Sequence, residues 1–400
     1  MDAFTSTELG SLPPDWRVQR FDSLFAVQQG KQVSKKNRVG ENQRPFLRTK
    51  NVFWGRLDLV DLDEMHFTEA EEKRLALEPG DLLVCEGGDI GRTAIWQGEL
   101  DRCYYQNHLH RARLRDEAGD SRFALYWLWY AFEVGSVYFG RGNVTTIPNL
   151  SQSKLCELPL PVPPLPEQRK IAGVLGVVQR AIEQQERLLQ LTAELKKTLL
   201  HQCFTHDFSN EREISVPEAL QKFKILRDRQ LPSAQIKEEG RFPVVDQGQA
   251  FISGYTDDAS KVVDTGLPVV IFGDHTRCVK YVDFPFVLGA DGTKVLKVDE
   301  AKFRPRFFYY GLSALDIPNR GYNRHFIILK EKRIKRPDFN VQDAVVEQFE
   351  TLDRKIESIV RKRALLEDLF RTLLYQLMTA QIRVNKLNPD APQIRSQQGA

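Results

Sequence analysis

Two segments of the chain are rich in side chains that could contact nucleic acid. Residues 31–56 hold eight Lys and Arg against one Glu, and residues 320–336 hold seven against one. Lys and Arg neutralise phosphates, while Arg, Asn and Gln offer paired donors and acceptors to base edges. Because amide, His and aromatic side chains are interleaved with these cations, the composition favours double-stranded DNA as a ligand.

The candidate DNA contacts are cationic, amide, His and Tyr side chains in these segments and in the Gly-rich stretches beside them. In the first half of the chain they are Lys31, Lys35, Lys36, Arg48, Lys50, Asn51, Arg92, Gln106, Asn107, His108, Arg141 and Asn143. In the second half they are Gln247, Tyr255, Arg277, Lys294, Arg320, Tyr322, Asn323 and Arg324. The alternative for each is an ordinary solvated charged surface. Residues 57–78, which follow the first basic segment, are acidic, so we expect the basic segment to form a face of its own.

No catalytic motif accompanies these candidates. Residues 289–294 have the wrong spacing for a phosphate-binding P-loop, and no NPPY or DPPY tetrapeptide of the kind used by amino-methyltransferases occurs. Asp291 with residues 300–302 could mimic a nuclease carboxylate cluster, but such triplets are common in a chain with 28% charged residues. The seven His show no metal-ligand spacing, and we assign His108 and His110 to DNA contact or to the surface. We therefore predict no active site, metal or cofactor in this chain.

Composition points to a cytoplasmic protein without a membrane segment. The five Cys form an odd set without a CxxC pair, which is typical of reduced thiols. The N-terminus lacks the basic and apolar regions of a signal peptide. The longest apolar run, residues 123–132, is about half of the roughly 20 residues that a spanning helix needs.

The chain repeats itself. The matching blocks, in chain order, are 88–92 with 273–277, 123–128 with 307–312, 141–142 with 320–321, and 194–205 with 368–379. Their offset falls steadily from 185 residues for the first block to 174 for the last, as a shorter second copy requires. The alternative is coincidence among helix-favouring residues, but the first block, Gly-Asp-x-x-Arg, is not a helical pattern. We predict two copies of a unit of roughly 180 residues.

Each copy begins with short strand-like runs separated by turn residues and then becomes helical. The strand candidates are residues 81–84 and 108–114 in the first copy and 242–245, 268–272 and 286–288 in the second. An aromatic helix is predicted at 123–137 and again at 303–312. Each copy therefore opens with a mixed α/β module.

A different kind of structure follows each module. Residues 158–166 contain five prolines, which predicts a stiff spacer that ends with Pro166 at the first position of a helix. Apolar residues then recur at alternating steps of four and three over nearly five heptads, and they do so again 174 residues later. The seam residues are Ile171, Leu175, Val178, Ile182, Leu189 and Leu199, then Val345, Phe349, Leu352, Ile356, Ile359, Leu366, Phe370, Leu373 and Leu377.

Such a seam predicts two rods of about 40 residues, each roughly 60 Å long at 1.5 Å per residue. A repeat of 3.5 residues requires a facing helix, so we expect the two rods to pair. Antiparallel pairing is favoured because the intervening module leaves the end of one rod and returns to start the next. The alternative is two amphipathic helices that lie separately on their own modules.

Several of these motifs resemble the specificity subunits of type I restriction-modification systems. The resemblance covers the chain from LPPDW at residues 12–16 to about Val384. Its most specific parts are PFLRTKNV at 45–52, LEPGDLLV at 77–84 with GGDIGR at 87–92, PLPVPPLPEQRKI at 159–171, and FPVVDQGQAFISGYTDD at 242–258. The second copy departs from the pattern, because Lys335-Arg336-Pro337-Asp338-Phe339 replaces the Pro-rich entry before its helix.

The resemblance implies an α+β protein in which two target recognition domains are joined by two long helices in an antiparallel coiled coil, with a pseudo-two-fold internal repeat. The expected domains are target recognition domain 1 (1–164, here module 1), long helix 1 (165–208), target recognition domain 2 (209–339, module 2), long helix 2 (340–384) and a disordered tail (385–400).

The resemblance also implies partners and a division of labour. Each domain would read one half of a bipartite DNA target, while the coiled coil sets the half-site spacing and docks two methyltransferase subunits. A motor-endonuclease subunit joins for restriction, so S-adenosylmethionine, ATP and Mg²⁺ belong to the partners and this chain is not an enzyme. The alternative is a non-catalytic scaffold whose modules and coiled coil bind other proteins.

Overall fold

A computed structural model describes residues 4–138, 149–208, 211–223, 225, 227–319, 321 and 324–384. The chain divides into two compact units. Unit 1 comprises the described residues up to Gln184 and from Arg363 onward, and unit 2 comprises those from Gln185 to Lys362. Each unit contains one module and a part of each of two long helices. Helices and sheets occur together in both, so the fold class is α+β.

Short strands make up most of both modules. Module 1 contains β1 (Thr5–Thr7), β2 (Gly10–Leu12), β3 (Arg17–Arg20), α1 (Phe21–Leu24), β4 (Phe25–Gln29), β5 (Gln43–Leu47), β6 (Val52–Phe53), β7 (Arg56–Leu57), β8 (Asp63–His66), α2 (Glu69–Leu75), β9 (Leu82–Cys85), β10 (Thr93–Ile95), β11 (Tyr104–Tyr105), β12 (Leu109–Leu114), α3 (Ser121–Trp129), α4 (Gln152–Glu157) and β13 (Pro159–Val162). The first long helix, α5 (Leu165–Gln202), follows. Module 2 contains β14 (Glu213–Ser215), β15 (Leu220–Gln221), β16 (Phe242–Val245), β17 (Gly254–Thr256), β18 (Val262–Val263), β19 (Val269–Gly273), β20 (Val279–Val282), β21 (Phe286–Leu288), β22 (Thr293–Val298), α6 (Pro305–Ala314), α7 (Phe326–Glu331) and β23 (Arg333–Lys335). The second long helix is α8 (Phe339–Met378).

The two modules share a strand order. One four-stranded antiparallel sheet has the order β10-β9-β12-β4 in module 1 and β20-β19-β22-β15 in module 2. A second sheet contains one parallel pair in each module, β5 with β11 and β16 with β21. The central strands β9 and β19 are buried throughout, as their unbroken apolar sequences indicate. The sequence repeat is thus a repeat of sheet topology.

An aromatic helix packs on the first sheet of each module. The carboxylate of Asp120 caps α3 by accepting hydrogen bonds from the backbone N–H groups of Arg122 and Phe123. Pro305 occupies the first turn of α6, where its missing N–H costs no hydrogen bond. Buried faces of both helices belong to the cores of their units, which confirms the aromatic helices predicted within residues 123–137 and 303–312.

All but one of the predicted seam residues of α5 and α8 are buried or half-buried. In unit 1, Ile171 and Leu175 of α5 share one core cluster with Phe370 and Leu377 of α8. In unit 2, Val345 and Phe349 of α8 belong to the module 2 core, and Ile359 is 3% exposed. The other seam residues, Val178, Ile182, Leu189, Leu352, Ile356, Leu366 and Leu373, are half-buried.

Leu199 departs from this pattern. Its side chain is 36% exposed, whereas the neighbouring Leu200 is 6% exposed and belongs to the module 2 core. The core of module 2 meets α5 at this end of the helix, on the face that carries Leu200. The prediction that Leu199 belongs to the heptad seam was therefore wrong. At this end of α5 the buried face of the helix packs on module 2, and that face carries Leu200 in place of Leu199.

The Pro-rich segment also differs from the prediction. Residues 159–162 form strand β13, which pairs with β3 in a two-stranded ribbon, so the segment is more than a spacer. Successive N–H groups of a strand point to opposite sides, and the two prolines of β13 share the side that faces away from the partner. The helix α5 begins at Leu165, so Pro166 is its second residue.

A buried glutamine ties each long helix to its own module. The Nε2 of Gln168 donates to the carbonyl of Pro163 at 2.8 Å, and its Oε1 accepts from the backbone N–H of Asp120 at 2.9 Å. In unit 2, the Nε2 of Gln342 donates to the carbonyl of Pro337 at 2.8 Å, and its Oε1 accepts from the N–H of Arg304 at 2.8 Å. The two glutamines are 174 residues apart, the offset of the helical repeat. Each glutamine bracket joins the start of a long helix to the residue that begins the aromatic helix.

Unit 1 has an additional clasp around the start of α5. The guanidinium of Arg383 donates to both carboxylate oxygens of Glu167, at 2.7 and 2.8 Å, and to those of Asp15, at 3.1 and 2.6 Å. The indole of Trp16 donates to Glu167 at 3.2 Å. The hydrogen bond from Arg383 lowers the pKa of Asp15. Residues after α8 and residues before β3 therefore meet at the first turn of α5.

We expect Gln342→Ala to lower the free energy of unfolding by about 1–3 kcal/mol, because it leaves buried backbone groups without partners. Gln342 is 1% exposed, so its hydrogen bonds are shielded from solvent in the folded chain. Urea unfolding followed by circular dichroism measures the change. Gln190→Ala, at an exposed position of α5, is the control. Equal stability of the two variants would contradict the structural role of the glutamine bracket.

Candidate nucleic-acid interface

The basic segment of module 1 pairs with the acidic stretch that follows it. Five of its eight cations form ion pairs with residues 57–78, at N···O distances between 2.5 and 3.9 Å. The hydrogen bond from Lys50 lowers the pKa of Asp61, and that from Arg44 lowers the pKa of Glu72. The pairs are Lys31 with Glu71, Arg38 with Asp63, Arg44 with Glu72, Arg48 with Asp63 and Lys50 with Asp61. The expected separate basic face does not form here, because the two stretches lie against each other.

The remaining cations of this segment keep their charge for solvent or a ligand. Lys35 and Lys36 are exposed and make no ion pair with any described residue. The guanidinium of Arg56 lies 4.8 Å from the centroid of the Phe53 ring. Of the predicted contacts in residues 31–56, Lys35 and Lys36 are therefore the most accessible.

Two other candidates of module 1 brace its loops. Asn51 is 2% exposed, and its Nδ2 donates to the carbonyls of Asp58 and Asp61 at 3.0 Å. A guanidinium N–H of Arg92 donates to the carbonyl of Thr49 at 2.7 Å. The same guanidinium pairs with Asp89 and lies 5.2 Å from the centroid of the Phe53 ring. DNA contact by Asn51 and Arg92 stays a prediction.

A second group of module 1 candidates meets beside β12. The backbone of Lys31 bridges that of Gln106, and its carbonyl accepts from the N–H of Asn107 at 2.8 Å. The imidazole of His108 is 60% exposed, with Nδ1 3.7 Å from a carboxylate oxygen of Glu86. The structure thus brings four predicted residues together, with His108 the most exposed.

In module 2, three candidates meet at a polar cavity of about 580 Å³. Lys294 and Arg324 line it together with His275 and Asp291, and the amide of Gln247 donates to the carbonyl of Asp291. Lys294 is 37% exposed, with its Nζ 3.6 Å from a carboxylate oxygen of the buried Asp274. We call this site the module 2 cavity.

The other described candidates of module 2 lie elsewhere. Tyr255 is on β17 and exchanges backbone hydrogen bonds with Lys237. The guanidinium of Arg277 donates to the carbonyl of Ile317 at 2.9 Å, so it braces a loop. Arg141, Asn143, Arg320, Tyr322 and Asn323 lie outside the described residues, and their DNA contacts stay predictions.

Two acidic residues of the cavity were not among the predicted contacts. Asp274 accepts a hydrogen bond from the backbone N–H of Phe326 at 2.8 Å, so this buried carboxylate supports the cavity wall. Its place in the repeated Gly-Asp-x-x-Arg motif was the signal that could have found it. Asp291 is exposed at the cavity and was considered only as part of a nuclease cluster. That interpretation ignored the neighbouring cations.

Among the described residues, no group of three or more His, Cys, Asp and Glu is placed to hold a metal ion. Within the same residues, none of the helices is long and apolar enough to cross a membrane.

Comparison with known proteins adds the family. A family model described as the type I restriction modification DNA specificity domain matches residues 13–193. The putative type I restriction enzyme MjaX specificity subunit of Methanocaldococcus jannaschii is 23% identical, over 95% of this chain and 97% of its own length. The putative type I specificity subunit S.MpnORF638P of Mycoplasma pneumoniae is 27% identical over 43% of this chain and 48% of its own. All three findings concern the same family.

A solved structure shows the same fold. The S subunit of a type I restriction-modification system from M. genitalium superposes with a TM-score of 0.58 at 20% identity, over 90% of this chain and 96% of that one. The comparisons indicate a type I restriction-modification specificity subunit. The resemblance of the sequence motifs to this family is confirmed, and with it a role in DNA specificity.

One histidine lies inside module 1. His110 is 0% exposed, and its Nε2 lies 2.9 Å from the carbonyl of Leu150. Assignment of His110 to DNA contact or to the surface was therefore wrong, because its side chain points from β12 into the core. Burial lowers the pKa of His110, which keeps the imidazole neutral.

We expect His110 to make the protein less stable in acid. The unfolded chain binds a proton near pH 6.5 that the folded chain excludes, so the stability from neutral His110 is lost as the pH falls below that value. Urea unfolding at about pH 5.5 and about pH 7.5 should show a smaller pH dependence for His110→Gln than for the wild type. Gln190→Ala, which removes no titratable group, should keep the wild-type dependence. An unchanged slope in His110→Gln would contradict the assignment.

Proposed function

We propose that each module of this specificity subunit reads one half of a bipartite DNA target. The observation that carries this proposal is that the two modules share one fold but expose different polar side chains. Both modules have the same strand order, yet module 1 presents Lys35, Lys36 and His108, while module 2 presents Asp291, Lys294 and Arg324. One fold with two unlike polar surfaces suits two unlike half-sites.

The two long helices are proposed to form an antiparallel coiled coil that sets the half-site spacing. In unit 1, the beginning of α5 shares a core with the end of α8. In unit 2, Lys196 near the end of α5 pairs with Asp353 in the first half of α8. This order favours antiparallel pairing. A helix of 38 residues extends about 57 Å, which exceeds the roughly 34 Å of one DNA turn.

The same helices are proposed to dock two methyltransferase subunits. Leu191 and Leu195 of α5 are 52% and 50% exposed, and Leu365 and Leu369 of α8 are 64% and 45% exposed. Residues four apart share a helix face, and the two leucine pairs are separated by the repeat offset of 174. Exposed apolar clusters mark protein contacts. One leucine pair in each unit suits two copies of the same partner.

Catalysis is proposed to reside in the partner subunits. The methyltransferase subunits would use S-adenosylmethionine, and a motor-endonuclease subunit would use ATP and Mg²⁺. The specificity subunit then selects the DNA sequence at which the partners act and is not itself an enzyme.

Deletion of the gene tests the proposed function. In a host with working partner subunits, long-read sequencing should detect methylated adenines in a bipartite motif, and the motif should lose its methylation when this gene is removed. Return of the gene on a plasmid should restore it. An unchanged methylome after deletion would contradict the proposed function and favour the scaffold alternative.

Charge placed on either leucine pair should remove one methyltransferase subunit. We expect the double variant Leu191→Asp/Leu195→Asp to bind one copy in place of two, and Leu365→Asp/Leu369→Asp to do the same, because an ionised carboxylate is costly to bury. Native mass spectrometry of the co-expressed subunits counts the copies. Gln190→Asp introduces a charge at an exposed polar position of α5 and should bind two. Two bound copies in both leucine variants would contradict this docking surface.

A further inference from the structure

The backbone around the module 2 cavity is held by internal hydrogen bonds. The amide of Gln247 donates to the carbonyl of Asp291 at 2.9 Å and accepts from the N–H of His275 at 3.1 Å. The N–H of Asp274 donates to the carbonyl of Gly292 at 2.8 Å. These bonds connect the loop between β19 and β20 with the loop between β21 and β22. The cavity is therefore formed before any ligand arrives.

One glycine allows the loops to come this close. Gly292 has φ +74°, and a Cβ at this position would lie 2.6 Å from the Nε2 of Gln247. A side chain would both strain the backbone and displace the amide that connects the two loops. The glycine thus fixes the position of its neighbour Asp291 at the cavity.

Three charged side chains border the cavity, and two of them have no ion-pair partner among the described residues. Asp291 and Arg324 are exposed and form no ion pair with each other or with another described residue. Lys294 is held near the buried Asp274 and lies 5.8 Å from the centroid of the Phe326 ring. An acceptor and a cationic donor thus border the same cavity without neutralising each other.

We propose that Arg324 and Asp291 read one G·C base pair in the major groove, and that Lys294 contacts a neighbouring phosphate. This inference rests on the proposed function and adds the chemistry of one position of the target. A guanidinium donates two parallel hydrogen bonds to O6 and N7 of guanine, and a carboxylate accepts from N4 of cytosine. The Lys294 ammonium is a point charge, which suits a phosphate more than a base edge.

Variants of the complex with its methyltransferase subunits test the assignment on a randomised double-stranded DNA library. The variants are Arg324→Lys, Arg324→Ala, Asp291→Ala and Lys294→Ala, with Lys237→Ala as the control. Lys237 is 61% exposed in module 2 and does not line the cavity. Sequencing of the bound fraction gives the preference at each base pair, and anisotropy at several salt concentrations gives the affinity and its salt slope.

Arg324→Lys keeps the positive charge and loses the planar pair of guanidinium donors. This variant therefore separates base recognition from electrostatic attraction to DNA. We expect it to lose the preference for G at one position, a preference of about 5- to 150-fold, while the salt slope stays close to that of the wild type. Arg324→Ala should lose the preference for G and also the wild-type salt slope. Asp291→Ala should lose the sequence preference at the same base pair. Lys294→Ala should weaken binding to all sequences alike, with a salt slope smaller by about one. Lys237→Ala should keep the wild-type preferences.

Two failures can be told apart. A wild-type complex that selects no sequence would overturn the proposed function itself. A wild-type complex that selects a motif, together with an Arg324→Lys variant that keeps every preference, would overturn only this inference. A loss of preference spread evenly over all positions would also overturn it, because that result indicates a general structural role for Arg324.

Discussion

The attachment of each long helix to its module depends on one buried amide. Gln168 in unit 1 and Gln342 in unit 2 are almost fully buried. Both bind only backbone groups, one just before the long helix and one just before the aromatic helix. A neutral amide with backbone partners is insensitive to salt and to the side chains that the module carries. The sheet surface can therefore differ between modules while the aromatic helix keeps its place on the long helix.

The sequence predicts those parts of the fold that follow from local periodicity. The buried strands, the aromatic helices and most seam positions follow from the apolar pattern, because the pattern records which face is buried. The seam prediction is wrong at Leu199 because an apolar pattern does not distinguish a helix that packs on another helix from a helix that packs on a module. The strand β13 was missed because proline statistics exclude central strands, whereas a two-stranded ribbon leaves one side of each strand without partners.

The site is harder to predict because charges pair over long distances in the chain. Arg48 and Asp63 are 15 residues apart in sequence and 2.7 Å apart in space. A count of charges along the sequence assigns them to separate segments, although together they contribute no net charge to the surface. Gln247 was predicted as a base contact because its amide offers a paired donor and acceptor to a base edge, yet both ends of the amide bind the protein. Residue type indicates what a side chain can bind, and only the fold shows whether a partner is already present.

Equivalent positions of the two units are filled differently. One such layer contains Tyr126, Gln179 and Phe370 in unit 1, and Tyr310, Asp353 and Lys196 in unit 2. The Tyr126 hydroxyl donates to Gln179 and the Tyr310 hydroxyl donates to Asp353, both at 2.7 Å, so both units have this hydrogen bond. The aromatic contact of unit 1 is replaced in unit 2 by an ion pair. If two copies of α5 paired with each other in the same antiparallel way, Lys196 of one copy would lie opposite Gln179 of the other. The Lys196 ammonium would then lose its ion pair with a carboxylate, and an unpaired charge in a half-buried layer is costly. The unlike layers thus favour pairing of α5 with α8, the pairing that brings two different modules, rather than two identical ones, to one DNA molecule under the proposed function.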